Sequence, residues 1–357
     1  MKKHLAVILS AGLTLLSGSA IATTTTVTEF QVFPGDLRAY PNDVNSEGEM
    51  IGVSSNNSGD KAVIWRDAIQ SPELLPLPSS LPAGGSVAMA ISDDGTIVGN
   101  EYYSTVVNNV VTTNYVALVW SLNADDSYAE PAVLPLPLTL KNGHGEEING
   151  GGAVVGSATV VGTFGAVPVL WEPNGTGYDF EQLQKLAGAF SCNANDINGS
   201  GVIVGTCDAT AVRWTPDAGG NYGAPEALKG ASGNATANND ANVTVGAVKG
   251  NPARWSATGA LSSPFGNLGG NSIDVNGQGW ILARKSSGSA FYLYNGATTT
   301  NLSTAMAGAI PGFLSGGLGG ALSDNVGGIV LVGASASVRR TGFSGYVPVL
   351  ITVDTTQ

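Results

Sequence analysis

The chain has 357 residues, only 12% of them charged, with 27 acidic against 15 basic side chains and a formal net charge of −12. So sparse a basic complement, nowhere denser than Arg339-Arg340, excludes a nucleic-acid partner and an anionic membrane held by charge alone. Fifty glycines among Thr, Ser, Asn, Ala and Val, with strong apolar residues recurring at regular places, predict many short strands joined by tight turns.

The first element is a leader. Lys2 and Lys3 precede an apolar run from Leu5 to Leu16, and Ala20-Ile21-Ala22 supplies the small residues of a cleavage site. The run is shorter than the ~20 residues a membrane span requires, no cysteine follows it for lipid attachment, and no later stretch is long and apolar enough to span. Residues 1–22 therefore read as a signal peptide cleaved near Ala22, and the mature chain as a secreted or periplasmic monomer. Loss of Lys2 and Lys3 takes the net charge from −12 to −14. The mature span 23–357 exceeds the ~250–300 residues of one ordinary core, and no Pro- or Ser-rich linker divides it. A single domain built by repetition is expected.

The repeated phrase reads acidic-or-small, Ile/Val, Asn/Ser, two free positions, Gly, two free positions, Val/Ile, Gly. Its copies begin at Asp43, Ala90, Glu147, Asp196, Ala237, Asp274 and Leu322. Each is followed by a segment ending in an aromatic: Trp65, Trp120, Trp171, Trp214, Trp255 and Tyr294, with Ile351 in the last copy. Leu-Pro punctuation closes a further segment at 74–78 and 133–137. Val, Ile and aromatic enrichment between Gly, Asn and Pro marks strands, and Asn-x-x-Gly is hairpin chemistry. Four strands per copy, repeated seven times, predict an all-β propeller of seven four-stranded antiparallel blades. The last copy lacks its fourth strand, and "TVTEFQVFPGDL" at 26–37 can supply it, so residues 23–37 are expected to close the ring and leave no free edge.

These phrases resemble the HAF-repeat family of exported bacterial proteins over nearly all of the mature chain. The first copy lacks a full "GDLPGG" opening, and the last two lack the Trp. The resemblance implies an extracellular propeller and carries no activity or catalytic residues.

Cys192 and Cys207 stand at equal distances from the "NGSG" turn, opposite one another on the hairpin, and export favours a disulfide between them. The mature chain has one histidine, His144, so a His-rich metal site is excluded. Glu146 and Glu147 beside it are adjacent on a strand, and alternation points neighbours to opposite faces. Asp43 and Asp274 open loops that resemble calcium loops, but few acidic ligands are present and the hairpin explains the same residues. No cofactor is expected, with calcium as the alternative. The tryptophans read as wedges between blades.

One face carries connections of very uneven length. It holds Tyr102, Tyr103 and Tyr115 in the longest insertion, Lys141 and His144, Arg339, and the apolar stretch 303–320. Variable loops on a rigid scaffold favour recognition, so these six residues are the expected ligand contacts. The leading expectation is a non-enzymatic binding or surface-associated propeller with a protein or glycan partner. The alternative is an extracellular hydrolase or lyase acting on glycans through channel carboxylates.

Overall fold

A computed structural model describes residues 24–324 and 326–355; the leader lies outside them. The chain is a β-propeller. Five separate four-stranded sheets follow the chain from inner to outer strand, with inner strands Gly85–Ile91, Leu140–Ile148, Cys192–Ile197, Gly233–Asn238 and Gly270–Val275. A sixth sheet has nine strands. Arg38–Val44, Met50–Asn56, Gly59–Trp65 and Glu73–Leu74 form one part; Phe313–Gly316, Ala321–Leu322, Ile329–Arg340, Phe343–Asp354 and Thr24–Glu29 form the other. One parallel pair, Arg38 with Tyr346, joins the two parts. The first described strand runs antiparallel to the last, with Val27 opposite Ile351.

The repeated phrase is an inter-sheet fastening. Its Asn accepts turn hydrogen bonds through Oδ1: at Asn198 these come from the Ser200 and Val202 N–H groups. The same side chain reaches across the seam through Nδ2. Asn149 donates to the Asn198 carbonyl, Asn198 to Asn239, Asn239 to Asn276 and Asn276 to Ser323. The closing glycine allows inner and second strands to approach: a Cβ at Gly156 would lie 1.8 Å from the His144 carbonyl oxygen. Equivalence of these turns places the start of the last copy at Ala321, one residue before Leu322, because Ser323 occupies the turn position of the Asn and pairs with Leu331 across a longer loop.

The tryptophans are wedges. Trp65, Trp120, Trp171, Trp214 and Trp255 are buried, and each indole N–H donates to a preceding connection, as Trp120 does to the Pro76 carbonyl at 2.7 Å and Trp171 to the Pro135 carbonyl at 2.7 Å. This gives the Leu-Pro segments their role as acceptors for a buried donor. Cys192 and Cys207 form a disulfide across directly opposed positions. Residues Leu302–Ala309, expected to be an apolar loop, form a helix instead. Asn301 caps it by accepting from the Ser303 N–H, and Leu302 and Met306 pack into the core.

Candidate active site

Six inner strands shift register at one shared position: between Pro41 and Asp43, Ala88 and Ala90, Gly145 and Glu147, Ala194 and Asp196, Ala235 and Ala237, and Ser272 and Asp274. The extra residue is a β-bulge, which sets two residues opposite one and breaks strict alternation. The bulge residue is Asn42, Met89, Glu146, Asn195, Thr236 or Ile273, and the acidic or small head of the phrase follows it.

These bulges turn the heads of four copies into one site. Asp43, Glu147, Asp196 and Asp274 line a common cavity of about 230 Å³ with Asn42 and Thr236. The three aspartates are held by backbone donors. Asp43 accepts from the Val44 N–H and from the Ile91 N–H of the next sheet, both at 2.8 Å. Asp274 accepts from Val275 at 2.6 Å and from Leu322 at 2.7 Å, and Asp196 accepts from Asn238. Glu147 differs: its carboxyl accepts from the Ile148 N–H at 3.0 Å and has no bond to the following sheet.

Burial dominates the protonation of this group. It lifts Asp274 to about 6 against two stabilising N–H bonds. It raises Asp43 and Asp196, with the negative charge of Asp274 adding to both. It raises Glu147 well above the ordinary carboxylate range, helped by Asp43 and then Asp196. Glu146 is lifted to about 7 by burial alone. The equivalent bulge residues donate to a carbonyl of the next sheet: Asn42 to Ala88 at 2.8 Å, Asn195 to Ala235 at 2.6 Å and Thr236 to Ser272 at 2.7 Å. At Glu146, which carries neither an amide nor a hydroxyl at this position, burial favours the protonated form. The site can thus present protonated and ionised carboxyls together near neutral pH, the condition for general acid and base catalysis.

The residues expected to bind ligand lie toward the other end of the inner strands. Tyr102 and Tyr115 face each other across the long hairpin, with ring centroids 5.9 Å apart, and Tyr115 lies 4.6 Å from the His144 ring. The Tyr102 hydroxyl donates to Asp60 at 2.8 Å. Tyr103 pairs with Asn114 instead. Lys141 is exposed opposite Thr159, and Arg339 is exposed opposite Ser344 in the last sheet. The structure brings Tyr102, Tyr115 and His144 together; Tyr103 and Arg339 do not join that row of rings. The candidate calcium loops use their oxygens internally, since Asn45 Oδ1 accepts from the Glu47 and Glu49 N–H groups and Asn276 Oδ1 accepts from Trp280. Among the described residues no group of three or more His, Cys, Asp or Glu side chains is arranged to hold a metal.

No protein-family model matches this sequence, and no curated protein matches it. The fold has solved relatives. The chain is similar to virginiamycin B lyase from Staphylococcus aureus, with a TM-score of 0.55 at 11% identity over 92% of this chain and 99% of that one. A catalytically inactive variant of that lyase with quinupristin gives 0.53 at 10% identity, over 91% and 99%. This likeness establishes the propeller fold.

These findings correct the expectation of a non-enzymatic binding propeller. The neighbours that share the fold are forms of a lyase, and the inner strands gather carboxyls that the sequence leaves far apart. Glu147 lines the cavity, whereas Glu146 sits at the bulge between Gly145 and Glu147 and is not among the residues that line it. The missed site residues had a signal, an acid heading four of the seven copies, which marks a ring once the copies are arranged about an axis.

Proposed function

We propose that this chain is an exported propeller hydrolase or lyase acting on glycans through its channel carboxyls. The observation that supports this most directly is the convergence of Asp43, Glu147, Asp196 and Asp274 on one cavity. Glu147 is the proposed general acid: it is the most weakly held of the four and is raised well above its ordinary range. Asp274, at about 6 and fixed by two N–H groups, is the proposed base. One protonates a leaving oxygen while the other takes a proton from water or from the carbon beside an acidic group. An extended substrate lying along the inner strand Leu140–Ile148 would meet His144 roughly 10 Å before Glu147, at the ordinary strand rise, with Tyr102 and Tyr115 beside it. Export is supported by the disulfide and by the leader read from the sequence, and membership of the HAF-repeat family by the seven phrases.

The test is turnover of a glycan library by the mature protein, followed by the pH–rate profile of any active substrate. A bell-shaped profile is expected, with a rate loss of at least 100-fold in Glu147→Gln at unchanged melting temperature. Absence of turnover across neutral and acidic glycans, or full activity in Glu147→Gln, refutes the assignment.

A further inference from the structure

A second cavity, of about 260 Å³, opens at the seam between the two parts of the nine-stranded sheet. It is lined by Leu37, Arg38, Ser337, Ser344, Gly345 and Tyr346. The seam is narrow because the Tyr346 N–H donates to the Leu37 carbonyl at 2.9 Å. Gly345 makes that approach possible, since a Cβ there would fall 1.9 Å from the same oxygen. From Arg38 to Asp43 is five positions along one strand, roughly 17 Å at the ordinary rise, so this pocket is distinct from the carboxyl cavity.

Three polar side chains in the pocket make no side-chain hydrogen bond among the described residues. The Arg38 guanidinium is exposed and makes no ion pair or side-chain hydrogen bond, and the hydroxyls of Ser337 and Ser344 make none. The aromatic wall beside them is Tyr346, with its ring centroid 5.1 Å from that of Tyr40 at a tilt of 51°. Two acids of this region are engaged elsewhere: Asp36, next to Leu37, accepts from Ser54, Asn56 and Lys61, and Asp60 accepts from the Tyr102 hydroxyl at 2.8 Å.

A guanidinium fork with two free hydroxyls matches the oxygens of a carboxylate or sulfate, which accept several donors at once. A tyrosine wall suits the C–H face of a sugar ring and keeps its own hydroxyl for a polar contact. The chain as a whole repels anions, with a net charge of −12, so selection for an anion here must come from local contacts and not from long-range steering. We infer that the seam pocket binds the carboxylate or sulfate group of an acidic saccharide. This inference stands on the pocket alone and does not require the carboxyl cavity to be catalytic.

The test is calorimetric titration of the full mature protein with trigalacturonate, its methyl ester, a sulfated disaccharide and inorganic sulfate. Binding of an acidic saccharide is expected, with at least tenfold weaker binding of the neutral ester. Arg38→Gln should weaken binding about tenfold and Arg38→Lys should restore part of it, consistent with loss of a charged hydrogen bond. Tyr346→Ala should weaken the saccharides but not inorganic sulfate. Whichever acidic saccharide binds more tightly identifies carboxylate or sulfate as the recognised group. Equal binding of ester and acid, no effect of Arg38→Gln in a folded variant, inorganic sulfate binding as tightly as either saccharide, or no binding of any probe would overturn the inference. Retained binding in Glu147→Gln separates this outcome from failure of the carboxyl chemistry.

Discussion

Raising the pH from 5 to 8 should destabilise this protein. Asp274 moves from an ordinary 3.8 to about 6, and Glu146 from 4.5 to about 7, both chiefly through burial. A carboxyl whose pKa is raised by folding favours the folded state most below its unfolded pKa, and that contribution is lost as pH climbs through the folded value. The window therefore runs from about pH 4 to pH 7. Shifts of roughly two units each correspond to about 3 kcal/mol per group. Both groups are half-buried, and solvent screening halves the figure, leaving about 3 kcal/mol for the two together. Asp43, Asp196 and Glu147 shift in the same direction. His144 opposes them: burial lowers its pKa, so its contribution grows as pH rises. The assay is denaturant unfolding followed by fluorescence of the buried tryptophans at pH 5, 6, 7 and 8. Part of the window lies below pH 5, so unfolding free energy should fall by about 2 kcal/mol or more across the series, and Asp274→Asn should flatten the fall. Stability that is level or rising from pH 5 to pH 8 would refute the protonation argument.

Other substitutions probe the scaffold. Cys192→Ser removes a crosslink between residues 15 apart in sequence; it should cost about 3 kcal/mol in denaturant unfolding and leave the far-ultraviolet circular dichroism of the propeller in place. Gly156→Ala places a methyl group against the His144 carbonyl oxygen and should cost ~2 kcal/mol or more through strain in the third repeat, read as a lower melting temperature, whereas Gly177→Ala, with open space around its Cβ and no left-handed φ, should cost less than half as much. Trp171→Phe removes a buried donor to the Pro135 carbonyl and should cost ~2 kcal/mol in unfolding free energy.

The propeller was legible because its determinants are local and repeated. An Asn that caps its own turn and straps the next sheet recurs at four consecutive seams, and the cysteines are opposed by their symmetry about one hairpin. The carboxyl cavity was harder to read. Asp43 and Asp274 lie in different sheets and meet only when the ring closes, and the bulge that aligns each inner strand has no residue-type signature: its extra residue is Asn, Met, Glu, Thr or Ile. The helix Leu302–Ala309 was masked by its small residues, which resemble the glycine-rich loops around it. The seam pocket joins Arg38 to Ser337 from opposite ends of the chain, a meeting no local pattern encodes.

The pairing of Val27 with Ile351 has a consequence for biogenesis. The two partners are more than three hundred residues apart, so a chain synthesised from its amino end delivers one half of the clasp long before the other. Until the final segment arrives, residues 24–29 expose unpaired peptide groups, and the last-formed sheet lacks a side. Assembly of intermediate sheets can proceed through near-neighbour contacts, but annealing of the whole waits for the carboxyl end. A nascent or truncated product lacking residues 343–354 therefore presents a sticky strand to its neighbours, and quality control has one late event to monitor.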